Sequence, residues 1–515
     1  MVTPGTTIAE RGEPADFEIR TCAREVSGSS FVRHVVIHCT ANLIALVCNG
    51  VLTFLLPRWL SMESYGYYRL FILYGGFAGV LHLGLLDGAL IRWAARPQQR
   101  MKAELFSTLA FLLAVHAVIL IPATAILALL FHRQPWFFLV LTLAAYAVVF
   151  NVCSFGQYAL QAEKAFTLLS AAIILTPALL LAGVLALHYI GHMTLLTVIV
   201  AFISSWLLAG IPVWVSLYSR FRTARPRCRD AWRVGIHNVR IGWTVVAALL
   251  LTNIALSLDR IVVSISYSIR DFAIYSLAAT ALAVVNTIIF SISRVVFPYV
   301  SDRIGQERRI EGYWLGEAVL VAMWAVGLVG YFPLHWLITR LLPSYVPSLP
   351  VLRLLMLGTG FTAVIHILQS NYLRSSLRLG RLLFGCCVGL IAALILLDLA
   401  RRTGRLSMMP LAMLGALAIW WALNENSLRL VTRGSYKNMS RTAIAYGTCA
   451  TWFALCSSWN NLRTGACAYL PLATVLIFVL YGSVLRSSAK LVDWRMNRWS
   501  MDNLGRVHTT STMSE

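Results

Sequence analysis

LFSTLAFLLAVHAVILIPATAILALLF, residues 105–131, runs for 27 positions without an acid, a lysine or an arginine. At 1.5 Å per helical residue it reaches about 40 Å, more than the roughly 30 Å hydrocarbon core of a bilayer. In lipid such a segment has to be a helix, because an open strand leaves its backbone groups unpaired. Thirteen further apolar runs flank it, at approximately 35–56, 67–91, 137–158, 166–189, 193–218, 242–265, 272–297, 313–341, 349–373, 382–400, 408–428, 442–461 and 467–486. The whole chain has 515 residues, 59% of them hydrophobic and 12% charged, with a mean hydropathy of +0.73. Soluble domains carry about 25% charge, so this chain could not cover its own surface in water. The expected fold is an all-α polytopic membrane protein of about 14 transmembrane helices.

The net charge of +22 sits in short loops between the apolar runs. A nucleic-acid partner is not expected, since such proteins concentrate basic charge on one soluble face. The pattern reads instead as topology. With the N-terminus in the cytoplasm, the opposite loops hold only Arg58, Arg133, Arg270, Arg340, Arg401, Arg402, Arg405 and Arg463, and about 31 of the 43 Lys and Arg face inward. This places a multi-pass protein in the cytoplasmic membrane with both termini inside. Residues 1–33 are read as a cytoplasmic tail without a cleavable signal. The most basic loop, with Arg220, Arg222, Arg225, Arg227, Arg229, Arg233 and Arg240, divides six runs from the eight that follow. The expected organisation is an N-lobe at 34–220, a basic linker at 221–241, a C-lobe at 242–430, an added helix pair at 431–486 and a tail at 487–515. The linker serves as a topological anchor, and its arginines suit anionic lipid headgroups.

Two faint echoes relate the lobes. LSMESYGYYRL (Leu60–Leu70) aligns without gaps on YSIRDFAIYSL (Tyr267–Leu277), putting Ser61 on Ser268 and Tyr68 on Tyr275. QYALQAEKAF from Gln157 aligns with NYLRSSLRLG from Asn371, putting Tyr158 on Tyr372. Two echoes in the same order suggest two six-helix lobes of like orientation in a pseudo-two-fold arrangement, with a substrate path between them.

No phosphate-binding loop, zinc motif or nucleophile elbow is present, and the ten cysteines contain no C-x-x-C pair. Neither catalysis nor a metal or other cofactor is expected. The informative residues are polar ones inside apolar runs, which default to function in a membrane. His38, Asn42 and Asn49 share one face of the first helix by spacing. Asn253, Asp259 and Arg260 lie in the seventh run, Asn286 and Arg294 in the eighth, and His366, Gln369 and Asn371 in the tenth. The candidate substrate-binding set is Arg260, Asp259, Arg294, Asn42, Asn49, Asn253 and His366. Interhelical hydrogen bonding is the plainer role for each Asn or His. Arg69 and Arg353 read as snorkelling anchors at helix ends. The first echo puts Asp87 and Arg294 at equivalent depths in the two lobes, which makes them a candidate gate, with headgroup exposure of each charge as the alternative.

Several of these stretches resemble the polysaccharide-export branch of the multidrug/oligosaccharidyl-lipid/polysaccharide transporter superfamily. They are LLPRWLSMESYGYYRLF (Leu55–Phe71), HLGLLDGALIRW (His82–Trp93), LDRIVVSISYSIRDFAIYSLA (Leu258–Ala278), RVVFPYVSD (Arg294–Asp302) and LLPSYVPSLPVLRLL (Leu341–Leu355). The SYGYY and FAIYSL turns are of the kind seen in O-antigen-type flippases. The resemblance implies alternating access between two lobes, an undecaprenyl-diphosphate-type lipid-linked oligosaccharide as cargo, and other polysaccharide-assembly proteins as partners beside the membrane lipids. A guanidinium pairs bidentately with phosphate, which suits Arg260 and Arg294. The lipid II flippases of the superfamily carry a more arginine-rich first helix, where this chain has His38 and Asn42. The multidrug branch carries acids deep in the first lobe, where this chain has only Asp87. The alternatives are a cation-coupled drug exporter using Asp87 or Asp259, a membrane-embedded glycosyltransferase or polymerase, and a scaffold of an assembly complex.

Overall fold

The computed structural model describes residues 28–475 except 96–100, 135, 224–227, 306–310, 377, 433–435, 460–461 and 472. Every element among the described residues is helical, and the order is α1 (Gly28–Trp59), α2 (Met62–Gly75), α3 (Leu85–Ala95), α4 (Lys102–Phe131), α5 (Phe137–Ala162), α6 (Phe166–Ile190), α7 (Leu195–Thr223), α8 (Cys228–Ser266), α9 (Ile269–Gly305), α10 (Glu311–Gly327), α11 (Tyr331–Leu341), α12 (Ser348–Ala363), α13 (Ser370–Ser375), α14 (Leu379–Arg402), α15 (Met408–Thr432) and α16 (Tyr436–Ser457). Eleven spans are long and apolar enough to cross a membrane, twelve when the bent pair α2–α3 is taken as one. They match the first twelve apolar runs. The thirteenth run falls in α16, which does not pass the same test, and most of 467–486 lies outside the described residues.

The outer face is apolar as well as the interior. On α4, Leu129 is 81% exposed, so lipid is the solvent of that face. Prolines 57, 122, 177 and 212 lie inside helices, as membrane helices tolerate where neighbours re-satisfy the freed carbonyls.

The second span is not one helix. α2 runs into a 3₁₀ turn at Ala78–His82, and the chain then bends by 56° into α3. Leu83 (φ 52°) and Gly84 (φ 85°) form the break. Left-handed backbone costs a leucine roughly 1–2 kcal/mol, so packing has to hold it. That packing comes from α8. A Cβ on Gly84 would stand 2.4 Å from the Gly242 carbonyl carbon, and one on Gly88 only 1.9 Å from the Asn238 oxygen. α3 and α8 therefore touch backbone to backbone, as small residues allow in membrane bundles.

This contact changes the reading of the basic segment. Of 221–241, residues from Cys228 onward are helix and continue into the seventh span without a break. The first half of α8 packs on α3 and α4 of the N-lobe, with Trp232 tilted against Phe111. Its second half packs with α9, α14 and α15 of the C-lobe. Charge density hid this, because a helix that emerges from the bilayer needs no apolar stripe all round.

The internal echo has a physical basis. Ser61 Oγ accepts from Ser64 N at 3.1 Å, capping α2, and Ser268 Oγ accepts from Asp271 N at 3.1 Å, capping α9. Each cap stabilises its helix by about 1 kcal/mol. The two equivalent turns meet: Gly66 packs against the Ile269 carbonyl, and Glu63 pairs with Arg270 at 2.8 Å. α2–α9 and α3–α8 thus join the lobes at opposite ends of the bundle.

Candidate functional site

Arg260 lies on α8, one turn and a half before its end, and α8 carries Asp259 beside it. Tyr275 of α9, itself fully buried, donates to Asp259 Oδ2 at 2.7 Å. Asp259 Oδ1 accepts from the Arg260 backbone N–H at 2.8 Å. Both carboxylate oxygens are thereby engaged, and the carboxylate also acts electrostatically on the guanidinium next to it. The Arg260 guanidinium instead donates to the Leu256 carbonyl at 3.1 Å and to Ser257 Oγ at 2.9 Å, acceptors that carry no formal charge. It borders a cavity of about 80 Å³ that Asn286, Thr359 and Thr362 also line.

A second cation approaches from the N-lobe. Arg69 of α2 lies within electrostatic reach of Arg260. It also acts on Tyr65 and Tyr68, both buried on the same helix. Its Nε is buried with no hydrogen-bond partner among the described residues. The residue as a whole is half-buried, and burial of Nε is compatible with the snorkelling expected from sequence. Two cations thus come near each other, with Asp259 acting on Arg260 as well.

The remaining candidates scatter. Asn42, Asn49 and Asn253 are exposed, and Asn49 Nδ2 donates to the Ala45 carbonyl in its own helix at 2.9 Å. His366 sits in a π-helical turn, Val364–Gln369, with its ring edge-on to Phe290 and Trp420. Its neighbour Asn371 donates to the Ser293 carbonyl at 2.9 Å, tying α13 to α9. The side chains of His38 and Arg294 lie outside the described residues. Of the expected gate, therefore, only Asp87 is described. It accepts from Tyr158 Oη at 3.2 Å and lies 3.8 Å from His82 Nε2. The described tie at that end is Arg92 of α3, which donates to Asn238 Oδ1 of α8 at 2.6 Å and pairs with Glu104 of α4.

Sequence reasoning passed over Glu317 and Glu425, each 1% exposed in the C-lobe. A lone acid in each of two apolar runs was the available signal.

The sequence profile of a family described as polysaccharide biosynthesis protein matches residues 55–329. The chain belongs to this family. The match covers the closures α2–α9 and α3–α8 as well as Arg69 and Arg260. No curated protein matches the chain. Among solved structures, the chain is similar to the lipid II flippase MurJ in an inward closed conformation, at 12% identity, over 88% of this chain and 100% of that one, with a TM-score of 0.65. It is also similar to a MOP-superfamily transporter from Pyrococcus furiosus whose binding pocket is described as of reverse polarity, at 13% identity, over 78% and 96%, with a TM-score of 0.54. At such identities the likeness concerns the fold. The profile gives the family, and the two structures give the fold that the chain shares with them.

Proposed function

We propose that the protein moves a lipid-linked oligosaccharide or polysaccharide repeat unit across the cytoplasmic membrane by alternating access, with an undecaprenyl-diphosphate-type headgroup as the charged end of the cargo. The observation that carries this reading is the approach of Arg69 and Arg260 from two lobes, with Asp259 acting on Arg260 but its two oxygens taken by Tyr275 and a backbone N–H. Guanidinium groups match phosphate oxygens bidentately. A hydrophobic cation would instead need a free carboxylate; both oxygens of Asp259 accept hydrogen bonds, and Asp87 accepts from Tyr158 through Oδ1 with His82 3.8 Å from Oδ2. The polysaccharide family supplies the sugar in this reading. An apolar cleft of about 550 Å³ between Trp324, Phe361, Leu414 and Tyr446 is in keeping with a lipid tail. The decisive experiment is deletion followed by leaflet-resolved analysis of lipid-linked sugars. Accumulation in the cytoplasmic leaflet is expected, and an unchanged distribution would remove the reading.

The orientation proposed with it puts the Arg220–Arg240 end of the bundle in the cytoplasm, as the excess of basic residues there requires. Cysteines introduced singly at Arg233 and Arg270, both exposed, should label from opposite sides: the first only after permeabilisation, the second in intact cells. The reverse pattern would invert the molecule.

A further inference from the structure

The two lobes differ at one pair of equivalent turns. The alignment that puts Tyr158 on Tyr372 also puts Leu160 on Arg374, Lys164 on Arg378 and Thr167 on Arg381. Leu160 is fully buried, and Lys164 has Glu163 beside it. The turn between α5 and α6 is therefore neutral by count, while its counterpart between α13 and α14 carries three arginines. Both turns follow even-numbered spans, as does the Arg220–Arg240 segment, so all three lie at one end of the bundle. One turn needs a topological anchor no more than the other, and the excess in the C-lobe calls for a reason of its own.

None of the three arginines is paired with an acid among the described residues. Arg374 and Arg378 are exposed. Arg381 Nη1 donates to the Ser427 carbonyl at 3.2 Å, which steadies it against α15. α14 begins with Arg378 at its N-cap and has no acid in its first turn. The positive end of a helix dipole favours anions, so the sequence places cations where an anion belongs.

The face of α14 beyond the arginines is apolar and open. Leu383, Phe384, Ile391 and Ile395 are each more than half exposed. The opposite face is fixed, with Gly385 and Gly389 against Asn424 and Trp420 of α15. A cationic head followed by an apolar strip on a rigid helix matches an amphiphile with an anionic headgroup. α4 has a comparable strip, but its first turn carries Glu104, paired with Arg92. A polar track also leads inward from Arg374. Thr359 and Thr362 line the Arg260 cavity. His366, Ser370 and Arg374 follow at intervals of four along the same span, and Arg374 acts electrostatically on His366. At 1.5 Å per residue Arg374 stands about 20 Å from Thr359 along the axis.

We propose that Arg374, Arg378 and Arg381 form a capture site for the diphosphate headgroup of an isoprenyl lipid in the adjoining leaflet, whose chain lies along α14, before that lipid reaches Arg260. Guanidinium groups meet phosphate oxygens in bidentate pairs. A diphosphate carries more charge than the single phosphate of an ordinary phospholipid and can engage more than one guanidinium at once. It also supplies the anion that the start of α14 lacks. Binding is reversible and breaks no covalent bond. That the captured lipid is the cargo rests on the transport reading; capture does not.

The test is photo-crosslinking of the full-length protein in nanodiscs of phosphatidylcholine and phosphatidylglycerol doped with undecaprenyl diphosphate. A benzophenone amino acid replaces Phe384, and adducts are identified by mass. An undecaprenyl diphosphate adduct is expected, with a yield lower by about tenfold or more when Arg374→Ala, Arg378→Ala and Arg381→Ala are combined. The same group at Leu129 of α4, exposed without a basic turn, should capture mainly phospholipid. Phospholipid adducts alone at Phe384, equal diphosphate yields at Phe384 and Leu129, or a yield unchanged in the triple variant would overturn the proposal. The first two comparisons keep the native arginines, so a triple variant that fails to fold leaves them decisive. Arg69→Ala with Arg260→Ala should keep the Phe384 adduct, and its loss there would deny a separate capture site. An adduct seen together with an unchanged leaflet distribution on deletion would keep the capture site and remove the transport reading alone.

Discussion

Gly88→Ala is expected to lower the melting temperature of the purified protein sharply and to reduce its level in the membrane. The new methyl would stand 1.9 Å from the Asn238 carbonyl oxygen and 2.7 Å from its carbonyl carbon. Both belong to helical backbone, which cannot swing aside as a flexible side chain would. α3 and α8 must separate, and with them goes the Arg92–Asn238 bond. Overpacking in a core costs about 1–3 kcal/mol where side chains can adjust; here the upper end or beyond is expected. Gly50→Ala on α1 is the control, because nothing lies within 4 Å of its new Cβ and alanine favours a helix. Thermal melts in detergent compare the two. A Gly88→Ala protein as stable as Gly50→Ala would show that the lobes do not depend on this contact.

Replacing both Arg69 and Arg260 by alanine should reduce export by about a hundredfold or more. A hydrogen bond to a charged group contributes about 1.5–3 kcal/mol, and each 1.4 kcal/mol is roughly a factor of ten. Arg260→Lys keeps the charge and loses the fork, so it should retain part of the activity. The single alanine variants should fall between. Export is read as surface polysaccharide at matched protein levels. Full export by the double variant would reduce both residues to structural arginines and would leave the cargo's charged end without a site here.

The Glu63–Arg270 pair shows how a sequence echo acquires meaning in three dimensions. Both residues are exposed, so their pairing adds little stability, about 0–1 kcal/mol. Their value lies in position, since they are equivalent members of the two repeats and meet across the lobe boundary. Ser61 and Ser268 were legible as equivalent; that both are helix caps follows only from the placement of Ser64 N and Asp271 N. At Arg69 the position near a helix end suggests an anchor, and only the packing of α2 shows that its Nε is buried.

What the sequence by itself determined is the solvent, the element type and the order of spans. Run lengths, the scarcity of charge and the need to satisfy backbone groups in lipid leave helices as the one solution. Those are local properties, readable along the chain. The break at Leu83–Gly84, the helical passage of residues 228–241 into the N-lobe, the approach of Arg69 to Arg260 and the meeting of Glu317 with Glu425 were decided by tertiary structure. Each joins residues far apart in the chain: Glu317 and Glu425 are on α10 and α15, Arg69 and Arg260 on α2 and α8. In a chain apolar on nearly every face, hydrophobic periodicity does not say which face meets which helix. That choice falls to close packing of glycines and to the few buried polar groups, whose partners exist only once the helices are side by side.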